Sequence, residues 1–294
     1  MANGIYIGDK NDNAREIATK LLIGDKNNKA RVITNILVGD RTNRARLVYS
    51  AIQDFPPVPD EPIYPDEPAY PDNPKNTVGT LEVGSSVYMN VNGVPTEFLV
   101  VHQGNPDTAI YDSSCDGTWL LMKYAHDTTT FNTGPYHYGS SDMHNYLNNQ
   151  FINYLDGNIQ SIIKQVKIPH SVSTGVLTGT EGLSTKIFLL SGREVGWDNV
   201  HLSIPNDGVC LGYFSNNTAA RRTTFFEGNP IYWWTRTIPS EFLNTVPIGF
   251  CITKYGECGA MDTGTQNFLM TRPALILPSD TLVDENGNIV TENT

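Results

Sequence analysis

Basic charge, cysteine and long apolar runs are all scarce in this chain, and each scarcity removes a class of function. Across 294 residues there are 20 Lys and Arg against 31 Asp and Glu, a formal net charge of −11. Such a surface repels a phosphate backbone, so nucleic acid is not an expected partner. No apolar stretch approaches the ~20 residues that cross a bilayer as a helix. The opening MANGIYIGDKNDNAR also lacks the basic-then-apolar layout of a signal peptide. No membrane insertion is expected, and synthesis is expected to be cytosolic. The four cysteines, Cys115, Cys210, Cys251 and Cys258, are too few for a disulfide scaffold and include no Cys-x-x-Cys pair. They are read as reduced thiols. With the closest pair seven residues apart and the six histidines scattered, no zinc ligand set is spelled out, and neither metal nor cofactor is expected.

Catalytic signatures are missing too. There is no Gly-x-Ser-x-Gly, His-Glu-x-x-His, P-loop or Gly-x-Gly-x-x-Gly run. Glycan hydrolysis needs two positioned carboxylates. Asp198, Asp207, Glu227, Glu241, Glu257 and Asp262 are available, but no spacing singles out a pair. No catalytic residue is assigned, and the chain is expected not to be an enzyme.

What is present divides the chain into three parts. Residues 1–55 hold nine Lys or Arg against six acids, and contain a tandem repeat: IGDKNDNAR from Ile7, IGDKNNKAR from Ile23 and VGDRTNRAR from Val38. Each unit reads as a short apolar strand, an Asn-rich turn and a second strand, which is a hairpin pattern. So little apolar surface is marginal in a single copy. The segment is therefore expected to associate with identical chains, as a homotrimer. Residues 56–77 repeat Pro-Asp-(Glu/Asn)-Pro and read as a semi-rigid polyproline-like spacer.

Residues 78–294 read as the main domain. Strands are expected at 86–91, 97–102, 109–112 and 118–124. A helix starting at Ser141 or Asp142 should carry Met143, Leu147, Phe151 and Leu155 on one face and close at Gly157. A shorter helix from Ile159 to about Val166, a strand at 186–190 and a helical turn near Arg193 follow. The end holds Tyr232-Trp233-Trp234-Thr235-Arg236, a hairpin through Tyr255-Gly256, and Arg272-Pro273-Ala274-Leu275-Ile276-Leu277-Pro278. This order is α+β.

Between the last two motifs, Thr237 to Met270 fits neither a helical nor a strand period, although it carries many large apolar groups. Some of them are expected to be displayed to a partner. The candidate ligand-binding set is Phe242, Leu243, Val246, Ile248, Phe250, Ile252, Tyr255, Glu257, Met261 and Phe268.

The Trp-Trp-x-Arg strand at 232–236 and the Arg-Pro-Ala-Leu strand at 272–278, together with Lys186 to Ser191 and Leu147 to Phe151, resemble a domain of prophage and surface proteins of gut Firmicutes. The resemblance covers roughly residues 78–285. That family is similar to the C-type lectin fold of variable proteins from diversity-generating retroelements, in which the stretch between the two motifs is the diversified surface. The repeats of residues 1–50 resemble units at the start of Firmicute phage tail and fibre proteins. Together these resemblances imply a C-type lectin-like α+β domain on a bacteriophage receptor-binding protein, part of the virion. It would recognise a host-surface protein or glycan and attach to the tail or baseplate through its repeats. The alternatives are a glycan-cleaving tail enzyme and a bacterial surface adhesin. The calcium-and-sugar signatures of animal C-type lectins have no counterpart, and Trp197-Asp198-Asn199 runs in the wrong order.

Overall fold

The computed structural model describes the backbone of six strands within residues 5–50. It also describes residues 76–291 apart from 128–129, 132–136, 173, 198–203, 217, 239–247 and 265–267. The chain forms two units, Met1–Tyr70 and Pro71–Thr294. In the first, the repeats are three antiparallel hairpins: β1 (Ile5–Gly8) with β2 (Ala14–Ala18), β3 (Leu22–Gly24) with β4 (Ala30–Val32), and β5 (Asn35–Gly39) with β6 (Ala45–Ser50). Register repeats with the sequence, because Gly8, Gly24 and Gly39 face Ala14, Ala30 and Ala45. The expected spacer lies, up to residue 75, outside the described residues.

The second unit opens with β7 (Ser86–Val91) and β8 (Val94–Gln103). Asn92 and Gly93 join them with φ of 52° and 74°. Two positive φ values are what a two-residue type I′ hairpin requires, and Asn-Gly adopts them readily. β9 (Thr118–Met122), β14 (Ile187–Phe188) and β20 (Ala274–Leu277) complete an antiparallel sheet in the order β14-β20-β9-β8-β7. In between come paired short strands, β10 (Val166–Ile168) with β13 (Leu183–Thr185) and β11 (His170–Val172) with β12 (Gly175–Leu177). Later come β15 (Thr224–Phe226) with β16 (Asn229–Ile231), and a three-stranded sheet of β17 (Trp233–Trp234), β18 (Ile248–Ile252) and β19 (Cys258–Asp262). β21 (Leu282–Val283) pairs with β22 (Ile289–Val290).

Both faces are covered along β9, β14, β20 and residues 98–101 of β8, which is why these read as continuous apolar runs, whereas the edge strand β7 alternates. Phe98, Val100, Leu120, Leu275 and Leu277 join one core with Met143, Leu147 and Phe151. Leu99, Trp119, Leu121 and Ile276 join the other with Phe188, Trp233 and Ile252. Each such side chain contributes about 1.5–3 kcal/mol on burial.

Ser141 caps helix α1 (Asp142–Asn149) by accepting from His144 N at 3.1 Å. The helix is shorter than expected. It stops at Asn149, beside Asn148, whose side chain donates to His144 O of its own helix at 3.0 Å and to Ile187 O at 2.9 Å and accepts from Lys186 N at 3.1 Å. Phe151–Tyr154 continues as a 3₁₀ turn, and Gly157 opens α2 (Gly157–Ile162) instead of closing α1. Val166, expected to end that second helix, begins β10. Residues 109–112 are a turn with one bridge, Tyr111 to Gly179, and not a strand. A further short helix, α3 (Ala219–Arg222), precedes β15. The class is α+β with strand predominating over helix, as the sequence order implies.

Candidate functional site

The described residues that flank and enter segment 237–270 meet at one place. Trp233 and Trp234 pair with Ile252 and Cys251 of β18, and on their other side Trp234 N donates to Met270 O at 3.1 Å while Met270 N donates to Tyr232 O at 2.9 Å. Both indoles are fully buried, in opposite cores. Trp234 packs edge-on to Phe131 with centroids 5.1 Å apart. Trp233 Nε1 donates to Arg222 O at 2.9 Å, and the Arg272 guanidinium lies 5.0 Å from its ring centroid. Burial lowers Arg272 to about 10.

Arg236, two residues past β17, anchors this base. It forms a bidentate pair with Glu194, at 2.5 and 2.6 Å, and donates to the carbonyls of Pro169, Leu189 and Asp207 at 3.1, 2.9 and 2.9 Å. Glu194 also accepts from Tyr111 Oη at 2.7 Å and Ser191 N at 2.9 Å. Asp207 accepts from Thr237 Oγ1 at 2.7 Å. All of these side chains are buried. Burial alone would depress Arg236, but Glu194 outweighs it and raises the pKa. Tyr111 is raised by burial and by the Glu194 charge. Burial raises Asp207 to about 6 against the opposing pull of Arg236 and the Thr237 hydrogen bond. A cluster so closed presents no group to a solute, and its role is to fix the strand in place.

From this base rises the β18–β19 hairpin. Its turn closes with Gly256 N donating to Thr253 O at 2.9 Å. Gly256 has φ of 75°, and a Cβ there would lie 2.0 Å from Ala219 O. Arg222 Nε donates to Gly256 O at 2.7 Å, so the tip is pinned to α3. The hairpin is thus held at both ends, and the turn expected at Tyr255-Gly256 is present.

The ten candidate residues do not share one fate. Tyr255 is 63% and Phe268 51% exposed. Glu257 is exposed as well, and Ile248 and Met261 are half-buried. Lys254 Nζ sits 5.1 Å from the Tyr255 ring centroid, and Phe268 meets Tyr232 edge-on at 5.7 Å. Phe250 and Ile252 correct the expectation of display, being 3% and 0% exposed. Their strand is the middle one of three, and consecutive residues 249–252 are covered on both faces. Phe242, Leu243 and Val246 lie outside the described residues. The four cysteines are free thiols, and burial pushes Cys251 and Cys258 up to about 12. Both are therefore protonated and unreactive near neutral pH.

Residues 116–279 match the family described as a domain of unknown function (DUF6273), more than half of the chain. The chain belongs to the DUF6273 family. No curated protein and no solved structure matches it. The DUF6273 span takes in β9, β14 and β20, the Glu194–Arg236 pair and the whole hairpin sheet, while β7 and β8 precede it and complete the same five-stranded sheet. Sequence reading left out Tyr111 and Glu194 and could not separate Asp207 from the other acids. The usable signal was Arg236 itself, since an arginine two residues after a Trp-Trp pair must find buried acceptors if that pair is in the core.

Proposed function

We propose that this DUF6273 protein is the receptor-binding protein of a bacteriophage tail. It carries no catalytic role, and its C-type lectin-like scaffold displays a variable surface to a protein or glycan of the host cell. The observation that carries this reading is the contrast within residues 237–270. The base is locked by two buried tryptophans and the Glu194–Arg236 pair, while Tyr255, Glu257 and Phe268 stand in solvent. Exposed positions on a rigid support accept substitution at little cost to stability, which is what a diversified surface needs. The three hairpins of the first unit are the attachment to the tail or baseplate and the seat of a homotrimer, in which several copies bind together.

Host-cell binding by the full-length protein tests this. Labelled protein should decorate particular Firmicute cells. Substituting Tyr255 and Phe268 together by alanine should abolish decoration without changing the melting temperature. Release of reducing sugar from the same envelopes, lost with a single carboxylate substitution, would overturn the reading in favour of a glycan-cleaving enzyme.

A further inference from the structure

Two arginines are sealed in the core on either side of segment 237–270, and only one of them has a counter-charge. Arg236 carries Glu194 and three backbone carbonyls. Arg272 is 1% exposed, donates from Nε to Met122 O at 2.9 Å, and lies 5.0 Å from the Trp233 ring centroid. Its Nη1 is buried and meets no hydrogen-bond acceptor among the described residues. Burial pushes this guanidinium down to about 10, the Tyr213 phenol is the one opposing influence, and no carboxylate takes part. The surroundings add charge of the same sign. The Arg221 guanidinium lies 5.1 Å from the Tyr213 ring centroid and makes no ion pair among the described residues. A cation shut away from water without a partner is among the costliest features a fold can hold, and a buried donor without an acceptor marks a place where a small solute completes the structure.

We propose that Arg272 Nη1 holds a small monovalent anion of the halide type, chloride in ordinary salt. One negative charge neutralises one guanidinium, whereas sulfate or phosphate would leave a net charge sealed in the core. An oxyanion also brings several lone pairs that each want a donor, and a halide makes no such directional demand. The site uses none of the exposed residues Tyr255, Glu257 and Phe268, and it stands whether or not the chain binds a host cell.

Thermal melts of the full-length protein, with chloride exchanged for gluconate at constant ionic strength, test this. The melting temperature should rise by about 3 °C between chloride-free buffer and about 100 mM chloride, and climb with the logarithm of concentration beyond that, as mass action on a folded-state site requires. A general salt effect runs the other way, because gluconate is the more strongly excluded from protein surfaces. Arg272→Met should melt at a temperature independent of chloride, while Tyr255→Ala should keep the wild-type response. In crystals soaked with sodium bromide, anomalous scattering should place a bromide within hydrogen-bonding reach of Arg272 Nη1. Should Arg272→Met fail to fold, the bromide position alone decides. The proposal is overturned if chloride and gluconate give the same melting temperature, if Arg272→Met keeps the chloride response, or if bromide is found only at the surface with water at Nη1.

Discussion

Replacing Arg236 by methionine should nearly unfold the second unit. The substitution strands the Glu194 carboxylate, sealed from water and left with Tyr111 Oη and Ser191 N as donors, and it uncaps the carbonyls of Pro169, Leu189 and Asp207. Breaking one side of a buried pair costs about 3–5 kcal/mol, and each buried carbonyl left without a donor adds about 1 kcal/mol or more. The sum is most of a typical stability of about 5–15 kcal/mol. Urea unfolding followed by tryptophan fluorescence reads this directly, because Trp119, Trp197, Trp233 and Trp234 all lie in the second unit. Glu194→Leu combined with Arg236→Met removes both charges and should be less destabilised than Arg236→Met alone. A loss below about 1 kcal/mol for Arg236→Met, or a double variant whose loss equals the sum of the singles, would refute the keystone role.

Other outcomes follow from the same geometry. Trp234→Ala and Phe250→Ala should each cost about 3–5 kcal/mol, whereas Tyr255→Ala should fall within about 0.5 kcal/mol; thermal melts of the three variants check this. Asp207 sits at about 6 in the folded protein, above its unfolded value of about 3.9. Its contribution is therefore complete below pH 4 and is lost as pH rises through 6, a change on the order of 3 kcal/mol, and Asp207→Asn should flatten stability between pH 4 and 6 in urea titrations. Light scattering should give a trimer for the full-length protein and a monomer for a chain starting at Val78, and a monomeric full-length protein would exclude assembly through the hairpins.

The parts of the fold that could be read in advance are those where one local cause decides the structure. Ser141 caps α1 because its side chain meets an orphan amide three residues on, and the tandem Gly-Asp repeats become hairpins because turn residues recur at fixed intervals. The central strands stood out because two covered faces demand unbroken apolar runs such as Phe98 to Val101. Where tertiary contacts compete, the local signal misleads. The apolar spacing from Met143 to Leu155 is helical in period, yet the helix stops at Asn149, and Phe151 and Leu155 reach the same core as Met143 and Leu147 through a 3₁₀ turn.

The candidate site was only half legible for the same reason. Exposure of a β-strand residue depends on what covers its two faces, and nothing within 248–262 reveals that Cys251 packs into one core and Ile252 into the other. Phe250 and Tyr255 look equally available for display in the sequence, but one is 3% and the other 63% exposed. The anchor was hidden more deeply still, because Glu194 and Arg236 stand 42 residues apart and neither flanking sequence names the other. What can be inferred from sequence is an obligation: an arginine that follows a Trp-Trp core pair must find buried acceptors, and Arg236 finds a carboxylate where the equally buried Arg272 finds Met122 O and the Trp233 ring. Meeting that obligation with two hydrogen bonds to Glu194 and three to backbone carbonyls fixes the start of segment 237–270.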